Sequence, residues 1–80
     1  MHYVYLLQSV PDPDRRYIGS TNDLKRRIAE HNAGKGEHTH KYRPWRLVTY
    51  AAFADTRRAQ EFESYLKTGS GQAFANRRLW

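Results

Sequence analysis

The chain contains no cysteine, which excludes disulfide staples and thiolate-ligated zinc. It has no apolar run approaching the ~20 residues that a membrane-spanning helix requires, so a membrane is not an expected partner. The opening Met-His-Tyr-Val-Tyr-Leu-Leu-Gln lacks a basic leader and a small-residue cleavage site, so it does not read as a signal peptide; a cytoplasmic protein is the expectation. No repeat, linker or low-complexity tract interrupts the sequence. Acidic residues are scarce: eight Asp and Glu stand against fourteen Lys and Arg, a formal charge of +6. A basic surface gains affinity for polyanions by displacing counterions from phosphates. Nucleic acid is therefore the expected partner, DNA first and RNA still open.

Eighty residues make one domain, residues 1–80, near the lower end of what a single hydrophobic core stabilises alone. Six tyrosines, three phenylalanines and two tryptophans are present to build that core. Residues 2–8 are mostly apolar and aromatic and predict a buried strand. Pro11-Asp12-Pro13-Asp14 is a turn, and Arg16 to Gly19 give a second strand, antiparallel to the first. Thr21 suits the N-cap of a helix from about Asn22 to Asn32, and Gly34 suits its end. The loop from Gly34 to Pro44 leads to a third strand over Trp45 to Ala54. Thr56 is expected to cap a second helix from Arg57 to Lys67, closed by Thr68-Gly69-Ser70-Gly71, and Gln72 to Leu79 form a short third helix. The order β-β-α-β-α-α defines an α+β domain with a small three-stranded, mostly antiparallel sheet flanked by helices.

Polar residues on apolar stripes are the informative feature. In the first helix Leu24, Arg27, Ile28 and His31 share one face at 3.6 residues per turn. Arg27 and His31 thus point where the apolar residues point, unless Arg27 only snorkels to water and His31 only caps the helix end. Arg26 and Glu30 are expected to form an exposed pair on the other side. In the second helix Ala59, Phe62 and Leu66 make the stripe and Glu63 completes it; its alternative is a plain pair with Lys67. An unpaired buried charge is costly, so two helices aiming ionisable groups inward suggest a site. Tyr5 and Tyr17 lie on the adjoining strands, where they serve either packing or that site, and Gly19 permits close backbone approach. His31, His38 and His40 match no helical metal-ligand spacing, and a fourth ligand is lacking.

Tyr3-Val4-Tyr5 and Tyr17-Ile18-Gly19, with the continuation to Arg27 and His31 and the stretch from Glu63 to Phe74, resemble the GIY-YIG nuclease family over essentially the whole chain. The match is to its small stand-alone bacterial members, related to the nuclease domain of the excision-repair incision subunit. Tyr3 replaces the first glycine of the eponymous triplet, and Asn76 corresponds by residue type alone to a family asparagine near the end of the domain. In eighty residues the further modules that larger relatives append are not expected.

The resemblance implies a metal-dependent endonuclease that hydrolyses nucleic-acid phosphodiesters with one divalent ion, Mg²⁺ or Mn²⁺. Its implied catalytic set is Tyr5, Tyr17, Arg27, His31 and Glu63. Glu63 would hold the metal, and Arg27 would clamp a phosphate oxygen with its planar guanidinium. Tyr17 would accept or orient the proton of the attacking water, Tyr5 would bond within the same cluster, and His31 would orient Tyr17 or relay its proton. Independently, Lys35, His38, His40, Lys41, Arg43 and Arg46 interleave with Tyr42 and Trp45, a composition suited to phosphate contact and base stacking. Trp45, as the start of the third strand, is expected to be buried. No segment reads as a base-reading helix, so weakly specific or structure-guided binding is expected. The alternative is a non-catalytic basic module that only binds nucleic acid.

Overall fold

Val4 to Leu7 are buried without a break because the strand that carries them is covered on both faces. The computed structural model describes all residues, Met1–Trp80. This strand, β1 (His2–Ser9), lies at the centre of a three-stranded antiparallel sheet, between β2 (Arg16–Thr21) and β3 (Trp45–Phe53). Three helices complete the order: α1 (Leu24–Asn32) between β2 and β3, then α2 (Thr56–Leu66) and α3 (Gly69–Arg78). The α+β class, the antiparallel sheet and the element order all match the expectation from the sequence. One 3₁₀ turn, His40–Tyr42, interrupts the loop after α1.

Strand alternation sorts the core into two layers. Tyr5 and Leu7 face α1 and pack with Trp45, Tyr17, Leu24 and Ile28. Val4 and Leu6 face the other way, onto Ala59, Leu66 and Ala75 of α2 and α3. Each fully buried valine or leucine among them stabilises by roughly 1.5–3 kcal/mol. The register places Tyr5 opposite Gly19 and Leu7 opposite Tyr17. On β2 the same alternation sends Tyr17 and Gly19 towards α1, and Arg16, Ile18 and Ser20 towards α2 and α3.

Three expected boundaries move, each because a different side chain satisfies the free backbone N–H groups of a helix end. Asp23, not Thr21, caps α1, its carboxylate accepting from the Arg26 N–H at 3.2 Å. Thr21 remains in β2, where its hydroxyl accepts from the Asp23 N–H. Asp55, not Thr56, caps α2 by accepting from the Arg57 N–H at 2.8 Å. Thr68 caps α3 through the Gly71 N–H, so Gly69 to Gly71 open a helix rather than separating two. The expected Arg26–Glu30 pair is also absent. Arg26 lies 3.9 Å from Asp23, and Glu30 takes Arg27 instead, at 3.1 Å.

Asn32 fixes the end of α1 to the start of β3. Its side chain accepts from the Trp45 N–H at 2.7 Å and donates to the Trp45 carbonyl at 3.2 Å. Trp45 is buried as expected, and its indole N–H donates to the Thr39 carbonyl at 2.7 Å. These bonds hold the loop that carries Thr39 against α1.

Candidate active site

The α1 stripe delivers His31 into the layer beneath Tyr5 and Tyr17. His31 is only 1% exposed. Its Nε2 lies 2.9 Å from the Tyr5 hydroxyl and its Nδ1 2.8 Å from Thr39 Oγ1, so both ring nitrogens are satisfied by hydroxyls that can donate or accept. Tyr17 meets the His31 ring edge-on, with centroids 4.9 Å apart, and its own ring lies 6.2 Å from that of Tyr5. The histidine hydrogen bond goes to Tyr5, whereas the resemblance implied that His31 orients Tyr17 or relays its proton; Tyr17 meets His31 through its ring and not through a hydrogen bond. The half-buried Tyr17 takes part in the cluster through its ring.

Gly19 makes this arrangement possible. A Cβ there would lie 2.6 Å from the Tyr5 hydroxyl oxygen and 2.9 Å from the Tyr17 ring. Only a residue without a side chain lets both phenols lie across the strand.

Burial keeps the site's protons in fixed places. Desolvation pushes the Tyr5 phenol up to about 12, against the nearby Arg27 guanidinium, which lowers it; Tyr17 and Glu63 push the same way as burial. Burial likewise lowers His31 below the ordinary histidine value, and the positive Arg27 adds to the effect. Tyr5 is therefore a phenol and His31 a neutral imidazole near pH 7. Arg27 is half-buried, with Glu30 as its ion-pair partner.

Glu63 belongs to the opposite layer. It projects from α2 at the edge of β2, where the Ser20 hydroxyl donates to Oε1 at 2.8 Å and Lys67 Nζ donates to Oε2 at 2.9 Å. Burial alone would raise its pKa, but the bonds from Lys67 and Ser20 and the charges of Lys67 and His2 bring it below the usual carboxylate value. The five expected residues thus divide four and one across the sheet, with Gly19 and Ser20 at the divide. The carboxylate is still close enough to act electrostatically on the Tyr5 phenol.

The loop residues Lys35, His38, His40, Lys41, Arg43 and Arg46 are all exposed, and none pairs with a carboxylate. His40 bonds only to local carbonyls, and Arg46 to Gln8. The histidines form no metal cluster with any third His, Cys, Asp or Glu. Asn76 accepts from Arg16 Nη1 at 3.1 Å on the α3 side of β2. Two site residues escape a reading of the sequence. Ser20 had a usable signal, since alternation turns it away from Gly19 towards α2. Thr39, between two histidines in an irregular loop, had none.

A three-stranded antiparallel sheet with a tyrosine–histidine–arginine cluster on one face and an ionised glutamate at its edge defines a small α+β domain built around a polar site. The chain belongs to the GIY-YIG family: the family model described as the GIY-YIG catalytic domain matches residues 1–77. It is 40% identical over 68 residues to a UPF0213 protein of Bacillus pumilus, covering 84% of this chain and 67% of that protein. The structure is similar to the solution NMR structure of a UPF0213 protein from Bacillus halodurans, with a TM-score of 0.54 and 34% identity over 91% of this chain and 79% of that one. A structure-specific endonuclease subunit SLX1 from Candida dubliniensis is 42% identical over 71 residues, 80% of this chain. The match spans 25% of that protein's length.

Proposed function

We propose that this domain is a metal-dependent endonuclease that hydrolyses nucleic-acid phosphodiesters, DNA foremost, with weak sequence specificity. The observation that carries this reading is the buried Tyr5–His31 hydrogen bond with Tyr17 and Arg27 around it, one strand position from an ionised glutamate. Membership in the GIY-YIG catalytic-domain family and the endonuclease name of the Candida relative support it.

Glu63 fits one divalent cation, Mg²⁺ or Mn²⁺. It is a hard oxygen donor held ionised and partly open to solvent, and its bond to the Lys67 ammonium supports a preference for a positive partner there. A single carboxylate suits an ion that keeps most of its shell as water and phosphate oxygens. When bound, such an ion supplies charge neutralisation at the scissile phosphate and leaving oxygen.

The chain's own residues do the rest. Arg27 holds a non-bridging phosphate oxygen as charge rearranges. Tyr17 orients the attacking water and relays its proton, the hydroxyl oxygen accepting from the water as its own phenolic proton passes to solvent. Tyr5, kept protonated by burial, donates within the cluster, and neutral His31 fixes the direction of its hydroxyl. The exposed basic loop from Lys35 to Arg46 contacts the backbone of the bound strand. No helix is long and apolar enough to cross a membrane.

The test is a labelled panel of single-stranded, duplex, flap and branched DNA, together with RNA, incubated with Mg²⁺, with Mn²⁺ or with EDTA. Metal-dependent cutting of at least one DNA structure is expected. Salt-sensitive binding with no cutting would replace this reading with a non-catalytic binding module.

A further inference from the structure

A cavity of about 260 Å³ lies between β2 and α3, on the sheet face opposite His31. Its size falls just below the range of small-molecule sites, roughly 300–1,000 Å³, and suits a fragment no larger than one nucleotide. Arg16, Lys67, Gln72, Asn76 and Trp80 line it, and no acidic residue does. The Arg16 guanidinium lies 4.7 Å from the centroid of the Trp80 ring, and Nη1 donates to Asn76. Arg16 makes no ion pair anywhere in the molecule. It is a positive charge held in place by an aromatic ring and an amide, with its remaining donors unmatched by any carboxylate.

We infer that this cavity binds one nucleotide of the substrate strand, with its phosphate on Arg16 and Lys67 and its base against the Arg16–Trp80 stack. Unstacked bases are bound on aromatic rings and guanidinium planes, and the Gln72 and Asn76 amides can bond a base edge. Lys67 is shared with Glu63, so the cavity adjoins the proposed catalytic edge. Arg16 and Ser20 are four positions apart on β2, roughly 13 Å at strand spacing. A strand whose scissile phosphate lies at Glu63 therefore reaches the cavity within a few nucleotides. The inference rests on the nuclease reading for its placement, but the binding it requires is measurable without cleavage.

¹⁵N-labelled protein in EDTA is titrated with adenosine 5′-monophosphate and, separately, with inorganic phosphate. The chain has two indole N–H groups, and that of Trp45 is buried on Thr39. The nucleotide is expected to shift the Trp80 indole and the Gln72 amide saturably while the Trp45 indole stays fixed. Inorganic phosphate is expected to leave the Trp80 indole in place. For a short single-stranded DNA, Arg16→Gln should weaken binding about tenfold, the worth of a hydrogen bond to a charged group. It should also lower the slope of log affinity against log salt by about 0.7. Arg15→Gln, which removes an equal charge from an exposed neighbour paired with Asp12, should do neither. An unmoved Trp80 indole, or equal losses from Arg15→Gln and Arg16→Gln, would overturn the inference. Wild-type cutting with unchanged binding in Arg16→Gln rejects the cavity and keeps the nuclease. Binding at Trp80 with no cutting in Mg²⁺ does the reverse.

Discussion

The Tyr5 hydroxyl and His31 Nε2 lie 2.9 Å apart in the interior of the domain, from residues 26 positions apart in the chain. Their bond is the joint between β1 and α1, and Thr39 completes it on the far side of the ring at 2.8 Å. Thr39→Val keeps the shape of the side chain and removes its hydroxyl, leaving His31 Nδ1 buried without a partner. It should cost about 1–3 kcal/mol, read from chemical denaturation, and cleavage should fall because His31 is no longer held towards Tyr5. Thr39→Ser, which restores the hydroxyl, should recover most of both.

The pH dependence of stability follows from the same group. His31 has a folded pKa below its unfolded value near 6.5. Between those two values the unfolded chain binds a proton that the native state does not, so stability falls as pH drops below about 6.5. Glu63, also lowered on folding, adds a loss in the carboxylate range as pH falls further. Tyr5 acts at the other end: its raised pKa makes stability fall as pH rises beyond about 10 towards 12. Denaturation midpoints from pH 5 to 8 should decline on the acid side for wild type. His31→Gln should flatten that decline above pH 5, even if its stability is lower throughout.

Gly19 is required by the two rings beside it rather than by any turn. Gly19→Ala would place a methyl 2.6 Å from the Tyr5 hydroxyl oxygen, so the phenol must move off His31. Overpacking of this kind costs about 1–3 kcal/mol, and a displacement near 1 Å costs on the order of 10²-fold in rate. The expected outcome is a folded protein with a lowered melting temperature and cleavage reduced by that order. Unchanged cleavage would show that the Tyr5 position does not matter to catalysis.

Much of this site was legible from residue spacing, and its failures have physical causes. Helical periodicity correctly put Arg27 and His31 on the inner stripe of α1, because that helix packs a single face on the sheet. Strand alternation put Tyr5 and Leu7 on one side of β1. Which side each helix takes depends on how the chain crosses the sheet, so the placement of Glu63 across from His31 emerged only with the fold. The helix starts moved for a local reason: threonine and aspartate both cap, and where they stood close together the aspartate won at Asp23 and Asp55. Thr39 was invisible because a buried loop residue leaves no periodic signal.

Arg27 is fixed by Glu30 and lies beside Tyr5. Arg27→Lys keeps the charge but loses the planar fork that matches phosphate geometry. Cleavage should fall on the order of 10²–10³-fold with little change in stability, since Arg27 is only half-buried and lies outside the two apolar core clusters. Single-turnover rates at saturating protein separate this loss from weaker binding.

Glu63 carries the metal-dependence of the account. The decisive measurement compares single-turnover cleavage by wild type and Glu63→Gln across a Mg²⁺ titration, on the DNA structure that wild type cuts best. The amide keeps the Ser20 contact and removes the charge, so the fold should persist while the rate drops by on the order of 10³ or more and no longer responds to Mg²⁺. A Glu63→Gln protein that cuts at the wild-type rate with the same Mg²⁺ dependence would contradict the account.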